Sequence, residues 1–182
     1  FKAFAAVPGP ELAISVRIVT RAACQRIVRA AFAYAKKHGY KGVTVCEKPN
    51  VIRETSGMML SEAKAVQKGH PDIALWDTNI DAQTMWLTKD PEIYGVIVSG
   101  NMFGDIISDA FAGLTGGLGF ACSANLGKDC AVFEPTHGSA PKYADYEVSI
   151  VNPIAMILSA CLMLDHFGEK ARADAIRMAL EA

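Results

Sequence analysis

The chain has 182 residues, 51% hydrophobic and 20% charged, with a formal net charge of −1. That balance suits a folded chain rather than a disordered one, and with no basic block it disfavours nucleic acid as a partner. Five scattered cysteines without a Cys-x-x-Cys pair point to a reducing compartment, not a disulfide framework or zinc site. The longest apolar run, residues 153–164, falls short of the ~20 residues that cross a bilayer, and no signal peptide is visible, so no membrane partner is expected.

Phe1–Glu11, centred on Pro8-Gly9-Pro10, reads as a turn or linker. Leu12–Val19 has the alternation of a strand. Thr20 is a plausible N-cap for a helix running to Lys37, with Ile27, Ala31 and Tyr34 on one stripe and Gly39 as its stop. Gly42–Cys46 reads as a strand and Glu54–Lys68 as a helix closed by Gly69-His70-Pro71. Ile73–Trp76 is a third strand, Asp81–Lys89 a short helix, Tyr94–Ser99 a buried strand and Gly104–Ala112 the next helix. Gly113–Gly119 holds four glycines in seven residues and marks a domain crossing. Ala131–Phe133 is a fifth strand, Pro153–His166 a buried helix and Glu169–Leu180 the last helix. Strands alternating with helices imply an α/β architecture. Trp76, Trp86 and the methionines read as core. His38, His70 and His166 have no metal-ligand spacing and read as helix-end or surface residues.

Two stretches stand out chemically. Asp105 and Asp109 lie four apart on one helix face. Such a pair can hold a hard cation such as Mg²⁺, or can simply favour a helix N-terminus; spacing alone leaves both open. Lys48 follows an apolar strand, where partial desolvation would suit a proton-transfer role, although most lysines at such ends are surface residues. Asp81 is either a helix cap or a ligand. Gly116-Gly117-Leu118-Gly119 lacks the Gly-x-Gly-x-x-Gly spacing of a Rossmann site.

Asn101-Met-Phe-Gly-Asp-Ile-Ile-Ser-Asp109 resembles the metal-binding signature of the β-decarboxylating dehydrogenases, the isocitrate/isopropylmalate dehydrogenase family. Glu134-Pro-Thr-His137-Gly-Ser-Ala-Pro-Lys-Tyr143-Ala resembles that family's cofactor loop, and Val151-Asn152-Pro153 follows it as the family pattern does. The resemblance runs from about Val16 to the end of the chain. It implies the family's α/β fold, not a Rossmann fold, with residues 1–113 in the small, dimer-forming domain and 114–182 in part of the large cofactor-binding domain.

The resemblance also implies chemistry. Asp81, Asp105 and Asp109 would hold Mg²⁺ or Mn²⁺, with Asp81 donated by the neighbouring subunit of a homodimer that shares its active sites. Lys48 would move the proton of the substrate hydroxyl, and Asn50 would contact the small 2-hydroxy acid substrate. Hydride transfer to the nicotinamide and loss of CO₂ would follow. Glu134, His137, Gly138, Ser139, Ala140, Pro141, Lys142, Tyr143 and Asn152 would form the cofactor stretch, with Asn152 at the adenine edge. A lysine at position 142 favours the 2′-phosphate of NADP, with NAD as the alternative because Asp145 stands where a glycine is usual. Glu47 and Pro49, flanking Lys48, depart from the family pattern.

The expected activity is oxidative decarboxylation of isocitrate to 2-oxoglutarate, in the cytoplasm or, in a eukaryote, the mitochondrial matrix. Alternatives are an NAD-linked isopropylmalate, homoisocitrate or tartrate dehydrogenase, or a non-catalytic regulatory subunit. The family's substrate segment and catalytic tyrosine precede the point matched by Phe1. The chain is therefore expected to be a fragment, inactive alone.

Overall fold

The computed structural model describes residues 15–148 and 150–181. The expected turn at Phe1–Glu11 lies outside them. The chain divides into two compact units, one ending at Gly104 and the other beginning at Asp105.

In the first unit, helix α1 (Arg21–His38) starts at Thr20, whose Oγ1 accepts the Ala23 N–H at 3.3 Å. It ends at Gly39, whose φ of 78° is left-handed, with Lys36, Lys37 and His38 against the negative end of the helix dipole. Strand β1 (Gly42–Glu47), helix α2 (Arg53–Gln67), strand β2 (Ala74–Asn79), helix α3 (Ile80–Lys89), a 3₁₀ turn at Pro91–Ile93 and strand β3 (Val96–Val98) follow. The strands form a parallel sheet in the order β2-β1-β3, with Val43 opposite Leu75 on one side and Val96 on the other. Central β1 is buried at every position, as a strand paired on both edges and covered by helices must be. Cys24, Val28, Ala31, Phe32 and Ala35 of α1 meet Val43, Val45, Met59, Ala63, Ile73 and Val98 in one core.

Helix α4 (Asn101–Leu114) runs from the first unit into the second. Gly116 and Gly117, at φ of 108° and 93°, make the turn after it, a conformation that side chains resist. Strands β4 (Cys122–Leu126) and β5 (Ala131–Pro135) form an antiparallel hairpin closed by the Gly127 N–H bonding to the Cys130 carbonyl. Helix α5 (Ile154–His166) packs on that hairpin, and helix α6 (Lys170–Glu181) packs on α5, the two tied by Asp165 and Arg177.

Several expectations are corrected. Residues 15–19 of the anticipated first strand are irregular, with Val16 and Ile18 exposed; alternation makes a strand only where a neighbour supplies hydrogen bonds. Of the anticipated α1 stripe only Ala31 is buried: Ile27 and Tyr34 are exposed, while Val28 and Phe32 lie in the core instead. The expected strand at 94–99 is shorter, and only Val98 within it is buried. Helix α5 is buried only along Ala155, Ser159 and Cys161. Trp76 is 52% exposed and Trp86 37%. They wall an open cavity of about 350 Å³, shared with Thr44, Thr78, Ile93 and Tyr94. Of the methionines, Met59 is in the core, while Met85, Met102, Met156, Met163 and Met178 are exposed. Strand β4 was not anticipated, although Gly127 and Asp129 between two short runs are a hairpin signal.

Candidate active site

Lys48 is the first residue past β1, at the end of the most buried strand. Its backbone N–H donates to Ser56 Oγ at 3.3 Å. Its ammonium pairs with the Asp81 carboxylate in the first turn of α3. The Lys48 side chain is 20% exposed and that of Asp81 68%. The hydrogen bond from Lys48 holds the Asp81 carboxyl below the usual carboxylate range. Asp81 is therefore ionised at neutral pH, as a metal ligand must be. Parallel pairing brings these two residues together: Glu47, just before Lys48, lies opposite Asn79, the residue that leads into α3.

Cys46 is adjacent and fully buried. Burial first, then the Glu47 and Asp81 charges, push its thiol up to about 12, so it stays protonated and is no nucleophile. Asn50 is exposed in the turn between β1 and α2.

Asp105 and Asp109 are exposed on α4, one helical turn apart, and neither forms an ion pair among the described residues. Met102 and Ile106 share that face and are 51% and 48% exposed. No group of three or more His, Cys, Asp or Glu among the described residues is placed to hold a metal ion. The donor chemistry of Asp81, Asp105 and Asp109 nevertheless fits a hard divalent cation, which takes carboxylate oxygens.

The second unit carries the cofactor-loop residues. Strand β5 delivers Glu134, whose Oε1 accepts the Asn125 amide at 2.9 Å. His137 Nδ1 lies 2.9 Å from the Gly138 carbonyl. Gly138, Ser139, Ala140 and Pro141 are exposed. Ala140 has φ 43°, the one positive value at a non-glycine residue among those described. Such backbone strain gathers at ligand clamps. Lys142 Nζ lies 4.8 Å from the Tyr143 ring centroid in a 3₁₀ turn, Pro141–Tyr143. Asn152 Oδ1 accepts the Ile154 N–H at 2.9 Å ahead of α5. The loop residues fit a dinucleotide: an open backbone, a hydroxyl and a cation.

Sequence reasoning did not find the role of Glu47. It is 3% exposed and accepts hydrogen bonds from Ser56 Oγ at 2.8 Å and the Gly100 N–H at 2.7 Å. An acid closing an otherwise apolar strand was the available signal.

The profile of the isocitrate/isopropylmalate dehydrogenase family matches residues 4–182. The chain is 48% identical over 167 residues to the 3-isopropylmalate dehydrogenase of Archaeoglobus fulgidus, covering 92% of this chain and 51% of that one. It is 46% identical over 171 residues to the homoisocitrate dehydrogenase of Methanocaldococcus jannaschii, covering 94% and 48%. The crystal structure of isocitrate dehydrogenase from Methylococcus capsulatus superposes with a TM-score of 0.87 at 44% identity, covering 91% of this chain and 48% of that one. This α/β chain, built on a parallel sheet with helices, belongs to the isocitrate/isopropylmalate dehydrogenase family. It spans about half the length of the curated relatives it matches.

Proposed function

We propose that this chain is part of a metal-dependent, NAD(P)-linked dehydrogenase that oxidatively decarboxylates a small 2-hydroxy acid. The observation that carries the reading is the pairing of Lys48 with Asp81, the two residues that the family resemblance makes proton carrier and metal ligand. Lys48, ion-paired with Asp81 and mostly buried, would exchange a proton with the substrate hydroxyl. Asp81, Asp105 and Asp109 would supply the carboxylate oxygens, and Asn50 a polar contact to substrate. A bound cation would supply Lewis-acid polarisation of the substrate's hydroxyl and then carbonyl oxygen, which eases loss of CO₂ from the oxidised acid, and the nicotinamide would supply the hydride acceptor.

The exposed apolar residues Met102 and Ile106 on the same face as Asp105 and Asp109 support an interface there, in keeping with a homodimer whose sites are shared. Lys142 favours NADP, through attraction to a 2′-phosphate. Isocitrate is the leading substrate, because Gly116-Gly-Leu-Gly119 through Ala124-Asn-Leu-Gly127 resembles the isocitrate branch of the family more than the isopropylmalate branch. Relatives named for 3-isopropylmalate and homoisocitrate favour those acids as the second reading.

The test is reduced-cofactor absorbance with the full-length protein, Mg²⁺ or Mn²⁺, each of the three acids, and NADP against NAD. Turnover of one acid identifies the substrate. In that protein Asp105→Asn lowers kcat by about 100-fold or more, the loss typical of removing one transition-state charge stabiliser. A variant with unchanged turnover sinks the metal assignment. A wild type with no turnover that still activates a partner enzyme points to a regulatory subunit.

A further inference from the structure

We propose that Glu47 is a positioning residue for Lys48, through a buried hydrogen-bonded junction at the end of β1; its kinetic consequence rests on the function proposed above. Glu47 is charged yet almost wholly buried, and it takes no part in the proposed chemistry. A carboxylate in such a place needs donors on both oxygens. It has them. Oε1 accepts the Gly100 N–H at 2.7 Å, at the entry to α4. Oε2 accepts the Ser56 hydroxyl from α2 at 2.8 Å, with the Arg17 guanidinium 3.6 Å away.

Each bond has a structural consequence. The Ser56 oxygen that donates to Glu47 also accepts the Lys48 backbone N–H, so the hydroxyl orientation that serves Glu47 leaves a lone pair for Lys48. A side chain at Gly100 would come 2.7 Å from Glu47 Oε1, so the backbone itself is drawn up to the carboxylate. Ser99 Oγ donates to the Cys46 carbonyl, lacing β3 to the same end of β1. Glu47 thus joins three elements immediately before the residue whose ammonium must be placed. The resemblance expects a shorter acid or a histidine here. A glutamate spans Ser56 and Gly100 together; an aspartate on this backbone is one methylene short.

The experiment uses the full-length protein and variants Glu47→Gln, Glu47→Ala and Ser56→Ala, each checked for folding by thermal melt. Lys48 is labelled with acetic anhydride at one pH, and its modification rate is read by mass spectrometry against other lysines. Glu47→Gln keeps the span and labels at close to the wild-type rate. Glu47→Ala and Ser56→Ala free the Lys48 backbone, loosen its pairing with Asp81 and label Lys48 several-fold faster. If Glu47→Ala does not fold, Glu47→Asp replaces it, with the same expectation. An unchanged Lys48 rate in a folded alanine variant overturns the proposal, as does a glutamine variant no better than alanine. Where the wild type turns over a 2-hydroxy acid, the alanine variant loses about 100-fold in kcat, as an ångström-scale misplacement can, with KM little changed, and glutamine restores most of it. If the wild type has no turnover, the functional reading fails while the labelling still decides the role of Glu47.

Discussion

Strand β1 and strand β5 each deliver a candidate functional segment, and they do it differently. Every residue of β1 is buried, and the residue it presents, Lys48, is held through its backbone and its ammonium. Along β5, half-buried and exposed positions alternate, and the loop it feeds is exposed from Gly138 through Tyr146. A central parallel strand covered by helices has no solvent face, whereas a two-stranded hairpin keeps one. The segment proposed to handle the proton is thus built on the most buried strand among the described residues. The loop proposed to bind the dinucleotide is left open, with a strained Ala140 to set its shape. Reacting groups need placement to a fraction of an ångström; a long cofactor reaches its partners through many adaptable contacts.

The sharpest way to break this contrast is in the core. Phe32 is fully buried beneath β1, and Phe32→Ala should cost about 3–5 kcal/mol in denaturant melts of the full-length protein. Val132→Ala, on the exposed face of β5, should change stability by less than about 0.5 kcal/mol. Comparable losses would mean that the hairpin is as constrained as the sheet.

Thiol chemistry reads the same difference. With Ellman's reagent at mildly alkaline pH, exposed Cys130 should react first, while Cys24, Cys46 and Cys161, all buried, should stay silent until unfolding. Early reaction of Cys46 would contradict both its burial and its raised pKa.

On the loop, Lys142→Glu should lower kcat/KM for NADP relative to NAD by about tenfold or more, the worth of a charged hydrogen bond, without moving the melting temperature. An unchanged ratio would take the phosphate-reading role away from Lys142. The smallest effect concerns pH. The folded Asp81 carboxyl titrates below its ordinary value, so the Lys48 pairing contributes fully above that value and is lost as pH falls through the folded one. Asp81 carboxyl NMR shifts should therefore stay flat to a lower pH than those of an unpaired aspartate, whose carboxyl titrates at about 3.9.

Much of the secondary structure was legible in the sequence, because its signals are local. Thr20 and Gly39 bound α1 as their chemistry demands, and the Asp105–Asp109 spacing put both acids on one face of α4. The resemblance of three short motifs to one family was borne out by a match over residues 4–182. What escaped the sequence depends on partners distant in the chain. Alternation at Val16 and Ile18 cannot say whether a strand lies beside them, and helical spacing allowed overlapping stripes on α1, between which packing chose.

By itself, the sequence determined the kind of elements, their caps and the motifs that name the family, since each rests on residues within a few positions of one another. Only the tertiary structure decided that the tryptophans wall a cavity, that Asp81 meets Lys48 from 33 residues away, and that Glu47 accepts a hydrogen bond from Gly100 across 53. The physical reason is that burial and ion pairing are properties of what packs nearby, and the chain brings those neighbours together only when the sheet forms.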